Sequence, residues 1–129
     1  MSALTEKASE SIIVLHQLIE KVFHGDGSFV PELLRHFEPD FIMVAPSGKS
    51  LSMEEVTALF TRLVGERQGV AITIEHCKVI SQFGQEVAIQ YHELQQQGDN
   101  HTHRISLAVI DCGCTPPRWR YLQETMVVS

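Results

Sequence analysis

"VAITIEHCKVISQFGQEVAIQYHELQQQGDNHTHRISLAVIDC", residues 70–112, is three β-rich runs joined by "GQ" and "GDN". Val, Ile, Thr and Tyr recur in it with the two-residue period of half-buried strands. "GCTPP" leads on to a fourth run, "RWRYLQETMVV". Gly-containing turns between such runs predict an antiparallel meander. A two-residue Gly84-Gln85 turn sets Ile80 opposite Ile89 and His76 opposite Glu93. A three-residue turn at 98–100 sets Ile89 opposite Val109 and Tyr91 opposite Leu107. Together these registers gather Ile72, Ile74, Ile80, Val87, Ile89, Ile105, Leu107 and Val109 on one side, and a one-residue slip would turn them outward. The fourth run cannot be oriented this way, because Trp119 and Tyr121 compete with Leu122 and Met126 for the inside.

Working upstream, the period changes to that of helices. In "LTEKASESIIVLHQLIEKVFHG", residues 4–25, Leu4, Ala8, Ile12, Leu15, Ile19 and Val22 fall on one stripe, and Gly25 is a stop signal. "GSFVPELLRHFEPD", residues 27–40, fits a short helix with Ser28 as cap, Pro31 in its first turn and Pro39 at its end. "FIMVAP" predicts the first strand, and "SMEEVTALFTRLVGER" a third helix opened by a Ser52–Glu55 capping box. Helices first and a meander second make an α+β domain, with the apolar helix stripes covering one face of the sheet.

The 129 residues suit a single domain, 1–129. The net charge is −6 without any basic run, so a nucleic-acid partner is not expected. No apolar stretch approaches the roughly 18 residues of a membrane span. "MSALTEKASES" carries both charge signs and does not read as a signal peptide. Three cysteines do not make a secreted disulfide framework, so a reducing cytoplasm is the expected location.

The long first helix ending in "HGD", the strand "DFIMVAPSG", the helix beginning "SMEEV" and the closing "RWRYLQETMVVS" resemble the nuclear-transport-factor-2-like superfamily. That group includes the SnoaL-like and ketosteroid-isomerase-like proteins. The resemblance covers nearly the whole chain and rests on the order and spacing of the motifs. It implies a cystatin-like cone: N-terminal helices packed in the concave face of a strongly curved, mainly antiparallel sheet, with a pocket between. It also implies homodimers through the outer sheet face and a pocket that works without a redox cofactor. Members range from isomerases and dehydratases to association domains, so the fold does not name a reaction. Ketosteroid isomerases place a general-base Asp just before a Pro in the first strand, where this chain has Ala45-Pro46. SnoaL-like relatives often carry two histidines after the closing tryptophan, where this chain has Gln123 and Thr125.

The predicted register puts His76, Tyr91, Glu93 and His103 on the apolar, helix-covered face. A carboxylate beside an imidazole raises its pKa and fixes its orientation, so His76 with Glu93 is the candidate acid–base pair. The bland alternative is a cross-strand ion pair at the sheet rim. Tyr91, His103, Ile105, Leu107 and Gln123 complete the expected lining of a mostly apolar ligand site. Cys77, His92 and Ser106 would form a row on the other face, read as solvent or dimer surface. "CGC" at 112–114 and "HTH" at 101–103 supply too few ligands for zinc, and no metal is expected. The functional expectation is a small-molecule pocket protein, an isomerase- or dehydratase-like enzyme if catalytic. A non-catalytic association module with a vestigial pocket is the alternative.

Overall fold

The computed structural model describes residues 3–128. Helix α1 spans Ala3–Phe23, and its predicted stripe, from Ala8 through Ile12, Leu15 and Ile19 to Val22, is buried. Asp26, not Ser28, then caps a 3-10 turn at Gly27–Phe29 by accepting the Ser28 backbone N–H at 3.1 Å. Helix α2 is only Val30–Leu34. Pro39, expected at its end, instead lies inside strand β1, Phe37–Val44. Pairing of β1 slips between Phe37 and Ile42, which suits a proline with no N–H to give to a ladder. A short strand β2, Ser50–Leu51, precedes helix α3, Met53–Arg62, which opens on the predicted capping box. Turns, not helix, fill residues 63–69.

Four long strands follow: β3 (Ala71–Phe83), β4 (Glu86–Gln97), β5 (Asn100–Asp111) and β6 (Arg118–Met126). The sheet order is β2-β1-β6-β5-β4-β3, with β1 and β6 parallel and every other pair antiparallel. Three helices pack on the concave face of this curved, open α+β sheet. Among the described residues no helix is long and apolar enough to cross a membrane.

The first hairpin starts in the predicted register, with Phe83 opposite Glu86. Two β-bulges then displace it. Val79, not Ile80, faces Ile89, and Ile80 is 51% exposed. Ile74, not His76, faces Glu93. The second hairpin turns on Gly98-Asp99 alone, since Gln97 pairs with Asn100. This one-residue difference inverts β5 relative to expectation. Ala108 faces Ile89 and Ser106 faces Tyr91 on the inside, while Ile105, Leu107 and Val109 lie half-buried on the outer face. In β6 an irregularity beside Val109 and Ile110 lets Trp119 and Leu122 both turn inward. Trp119 is fully buried, and its indole N–H donates to Ser11 Oγ at 2.9 Å.

Candidate functional site

The stripe of α1 carries one imidazole. His16 follows Ile12 by four residues and precedes Ile19 by three, so the helical period delivers it to the sheet. Its Nδ1 lies 2.7 Å from the Ile12 carbonyl and its Nε2 lies 3.1 Å from Glu93 Oε1. Both ring nitrogens face acceptors, so both donate and the ring is held as a cation. Burial alone would lower the His16 pKa, but the Glu93 charge, its hydrogen bond and the Ile12 carbonyl outweigh that, and the net shift is upward. For Glu93 burial pushes up, while His16, Arg104 and the Gln95 amide pull down, and the carboxyl falls to about 2. The result is a buried ion pair.

That pair is one end of a polar chain. Gln95 Nε2 donates to Glu93 Oε2 at 2.6 Å, and Arg67 Nη1 donates to Gln95 Oε1 at 2.7 Å. Arg67 also donates through Nε to Gln97 Oε1 at 3.1 Å. Arg104 is the cross-strand neighbour of Glu93 and donates through Nη1 to Glu124 Oε2 at 3.2 Å. The Glu124 side chain is only 9% exposed. Burial, with repulsion from Glu93, outweighs Arg104 and raises its pKa. Strands β4, β5 and β6 therefore bring two carboxylates and the Arg104 cation together beside His16 of α1, with Arg67 added from the turns after α3, one carboxylate pinned ionised and the other shifted toward neutrality.

These groups border a cavity of about 200 Å³. Leu15, Ile19, Phe37, Met43, Phe60 and Leu122 give it an apolar wall, and His16, Arg67, Glu93, Gln95, Arg104 and Glu124 a polar one. Beside it, Tyr91 is fully buried and T-shaped against His16 at 5.4 Å between ring centroids. Burial, then Glu93 and Glu124, hold its hydroxyl well above the usual tyrosine range, so it stays a donor. Neither this hydroxyl nor that of its neighbour Ser106 makes a hydrogen bond of normal geometry.

Of the residues singled out from sequence, Tyr91 and Glu93 lie on the concave face. His76, His103, Ile105, Leu107 and Gln123 do not join them. His76 sits in a bulge of β3 and packs against His92 on the outer face. His103 contacts His92 there too, Ile105 is the cross-strand partner of His92, and Leu107 pairs with Gln123. Gln123 is exposed and accepts the Tyr121 hydroxyl at 2.6 Å. Ala45 closes a turn, its N–H donating to Lys49 O at 2.9 Å, and supplies no side chain to the cavity. His16, Arg67, Gln95, Arg104 and Glu124 escaped the sequence reading. Only His16 carried a clear signal, its place on the helical stripe. Among the described residues, Glu38, Asp111 and Cys114 are the one trio whose ligand atoms lie within 4.8 Å of one another.

No protein-family model matches the chain, and no curated protein matches it. Solved structures do. A nuclear-transport-factor-2-like protein of unknown function from Pseudomonas aeruginosa superposes with a TM-score of 0.88 at 27% identity, over 95% of this chain and 99% of its own. A nuclear-transport-factor-2-like protein with a cystatin-like fold from Novosphingobium aromaticivorans gives 0.73 at 13% identity, over 95% and 80%. A ketosteroid isomerase-like protein from Erwinia carotovora atroseptica gives 0.70 at 9% identity, over the whole of both chains.

Proposed function

The chain has the fold of the nuclear-transport-factor-2-like superfamily, and from that premise we propose that its concave cavity binds a small, mostly apolar molecule with one polar end. The buried His16–Glu93 pair, opening on a largely apolar cavity, carries this reading. Burying two charges costs several kcal/mol, and apolar packing there would be as stable, so the pair has a use beyond stability. At about 200 Å³ the cavity is smaller than the ~300–1,000 Å³ of drug-sized sites. A single-ring compound matches that scale. Its apolar body would lie against Leu15, Phe37 and Phe60 and its oxygen would reach the polar wall.

If the molecule reacts, the chemistry is proton transfer of the isomerase or dehydratase type. Glu93, held ionised, is a weak base, and since Ile12 and Glu93 occupy both His16 N–H groups, a substrate oxygen would take its hydrogen bond from the Arg104 guanidinium, whose buried Nε–H has no partner and which lines the same cavity. Glu124, its pKa raised, is the better base and lines the same cavity. The absent carboxylate at position 45 is thus replaced by one from β6. His76, expected beside Glu93, gives way to His16 as the partner of that carboxylate.

The test is a thermal-shift screen of single-ring ketones, alcohols and carboxylates, followed by titration of any hit. A ligand at 100 times its Kd raises stability by about 2.7 kcal/mol. Hits should lose their shift in Arg67→Ala and keep binding but lose turnover in Glu124→Gln. A hit whose shift is the same in Arg67→Ala and Glu124→Gln binds elsewhere and sinks the assignment.

A second observation favours self-association. Ile105, Leu107 and Val109 are only half-buried on the outer sheet face, opposite the one on which the described helices pack. We propose a homodimer through this face, which sedimentation of wild type against Leu107→Lys checks. An unchanged monomeric mass in both rules it out.

A further inference from the structure

The bulges that remove His76 from the cavity place it in a second cluster. His76, His92 and His103 come from three adjacent strands, β3, β4 and β5, and share the outer face. His76 and His92 lie 5.1 Å apart between ring centroids, and His92 and His103 5.0 Å apart. His92 Nδ1 is 2.8 Å from His103 Nε2. We propose that these three imidazoles form a binding site for a borderline divalent transition metal, zinc first among them.

Four observations support it. First, two imidazole nitrogens on different strands already meet, His92 Nδ1 and His103 Nε2 sharing one hydrogen bond. In a tetrahedral zinc site with Zn–N of about 2.0–2.1 Å, ligand nitrogens lie roughly 3.3 Å apart. The present 2.8 Å opens to that by a small ring rotation. Second, His76 has φ 54, alone among the described non-glycine residues in being left-handed. Such a conformation is disfavoured for a side chain with a Cβ, and it is what turns this imidazole toward His92. The ligand atoms of the three rings do not all lie within 4.8 Å of one another, and His76, which is exposed, must turn a nitrogen toward the other two for a metal to bind. Third, Glu75 is the cross-strand partner of His92 on the same face and offers a carboxylate for the fourth position. Three imidazoles and a carboxylate suit zinc, nickel or copper and not the hard cations. Fourth, His76 is exposed and His103 borders an open depression of about 400 Å³ with Thr73, Leu94 and Met126, so both ends of the row can be reached in the single chain.

The proton balance is simple. In the metal-free contact one ring donates an N–H to the lone pair of the other. When the cation binds, that proton exchanges through water to the donor ring's remaining nitrogen. Both contact nitrogens then present lone pairs to the metal, with no net proton released from two neutral rings.

The test is zinc chloride titrated calorimetrically into the tag-free full chain, with cobalt(II) as a spectroscopic probe. One saturable equivalent per chain is expected, with the visible bands of a low-symmetry cobalt site. His92→Gln and His103→Gln should each weaken binding by at least about tenfold, the scale on which even supporting groups in metal sites act. His76→Gln, at an exposed position, should weaken binding without touching the fold, as Trp119 emission and circular dichroism check. His101→Gln and Cys114→Ser should bind as wild type does. The proposal is overturned by absence of a saturable site, by equal affinity in wild type and both His92→Gln and His103→Gln, or by a loss confined to Cys114→Ser, which would locate the metal at Glu38, Asp111 and Cys114.

Discussion

Replacing Glu93 by Gln keeps the side chain's shape and deletes its charge. His16 then keeps its place beneath Trp119 and Tyr91 but has no counter-ion. The depression of the Glu93 carboxyl from 4.5 to about 2 measures what the native surroundings give the charge. At about 1.36 kcal/mol per pKa unit this is roughly 3 kcal/mol of stability. Removing one member of a buried pair typically costs about 3–5 kcal/mol, which agrees. The pH dependence has a definite sign. A depressed carboxyl contributes fully above its unfolded value and loses that contribution as pH falls from about 4.5 toward 2. His16, raised, acts oppositely: its contribution is complete below its unfolded value, 6.5, and fades as pH rises through the higher folded one. The assay is urea unfolding followed by the emission of Trp119, the single tryptophan, whose ring lies 6.2 Å from His16. Glu93→Gln should lose roughly 3 kcal/mol at pH 6, about 10 °C in Tm for a chain of this size. The deficit should shrink as the pH is lowered below about 4.5, where the unfolded wild-type chain protonates this group while the folded one does not until about 2. A variant as stable as wild type at pH 6, or a deficit constant from pH 6 to the acid limit of the fold, refutes the ion-pair description.

Three further outcomes follow from individual contacts. Ser11→Ala leaves the buried Trp119 indole N–H without its acceptor and should cost about 1–3 kcal/mol in urea unfolding, with a shifted emission maximum. Ser52→Ala removes the side-chain half of the α3 capping box, leaving the backbone N–H of residue 52 on Glu55, and should cost about 1 kcal/mol, with no change at the cavity. His76→Gly relieves the left-handed residue and should be neutral or stabilising by up to about 1 kcal/mol, while abolishing its share of zinc binding. A marked destabilisation by His76→Gly would mean that its ring packing outweighs the backbone strain.

The elements were legible because their signals are local. The α1 stripe, the Ser52 capping box and the Gly84-Gln85 turn are each written in a few adjacent residues. Faces were legible only where register is. In β4 the inward run Val87, Ile89, Tyr91 and Glu93 is as expected. In β5 both alternating sets are apolar, Ile105-Leu107-Val109 and Ala108-Ile110-Cys112, so the two-residue period cannot choose between them. The choice then rested on turn length, and "GDN" accommodates either two or three residues. One residue of error exchanged the faces, and with them His103, Ile105 and Leu107. Arg104 was hidden by the same error, because a charged residue on an assumed outer face attracts no notice, and Glu124 lies in the run that the turns could not orient. Gln123 was named from the resemblance and not from register, and the pairing of β6 with β5 sets it opposite Leu107 on the outer face. His16 was readable by its spacing from Ile12 and Ile19.

The bulges of β3 explain why its far end was predicted correctly while its partners were not. Between the Ser81–Ala88 and Glu75–His92 pairs, β3 advances six residues, 81 to 75, against four on β4, 88 to 92. The first bulge inverts the alternation, so that Val79 replaces Ile80 on the inside. The second restores it, so that Ile72 and Ile74 still face the helices. A displacement of two preserves the face of every residue beyond it but changes each partner. Glu93 therefore meets Ile74, which offers no charge, in place of His76. A buried carboxylate without a cation is too costly to keep ionised, so its partner must come from outside the hairpin, and α1 supplies His16. The same displacement leaves His76 on the outer face beside His92. The acid–base pair of the cavity and the imidazole cluster outside are thus two consequences of one irregularity in one strand.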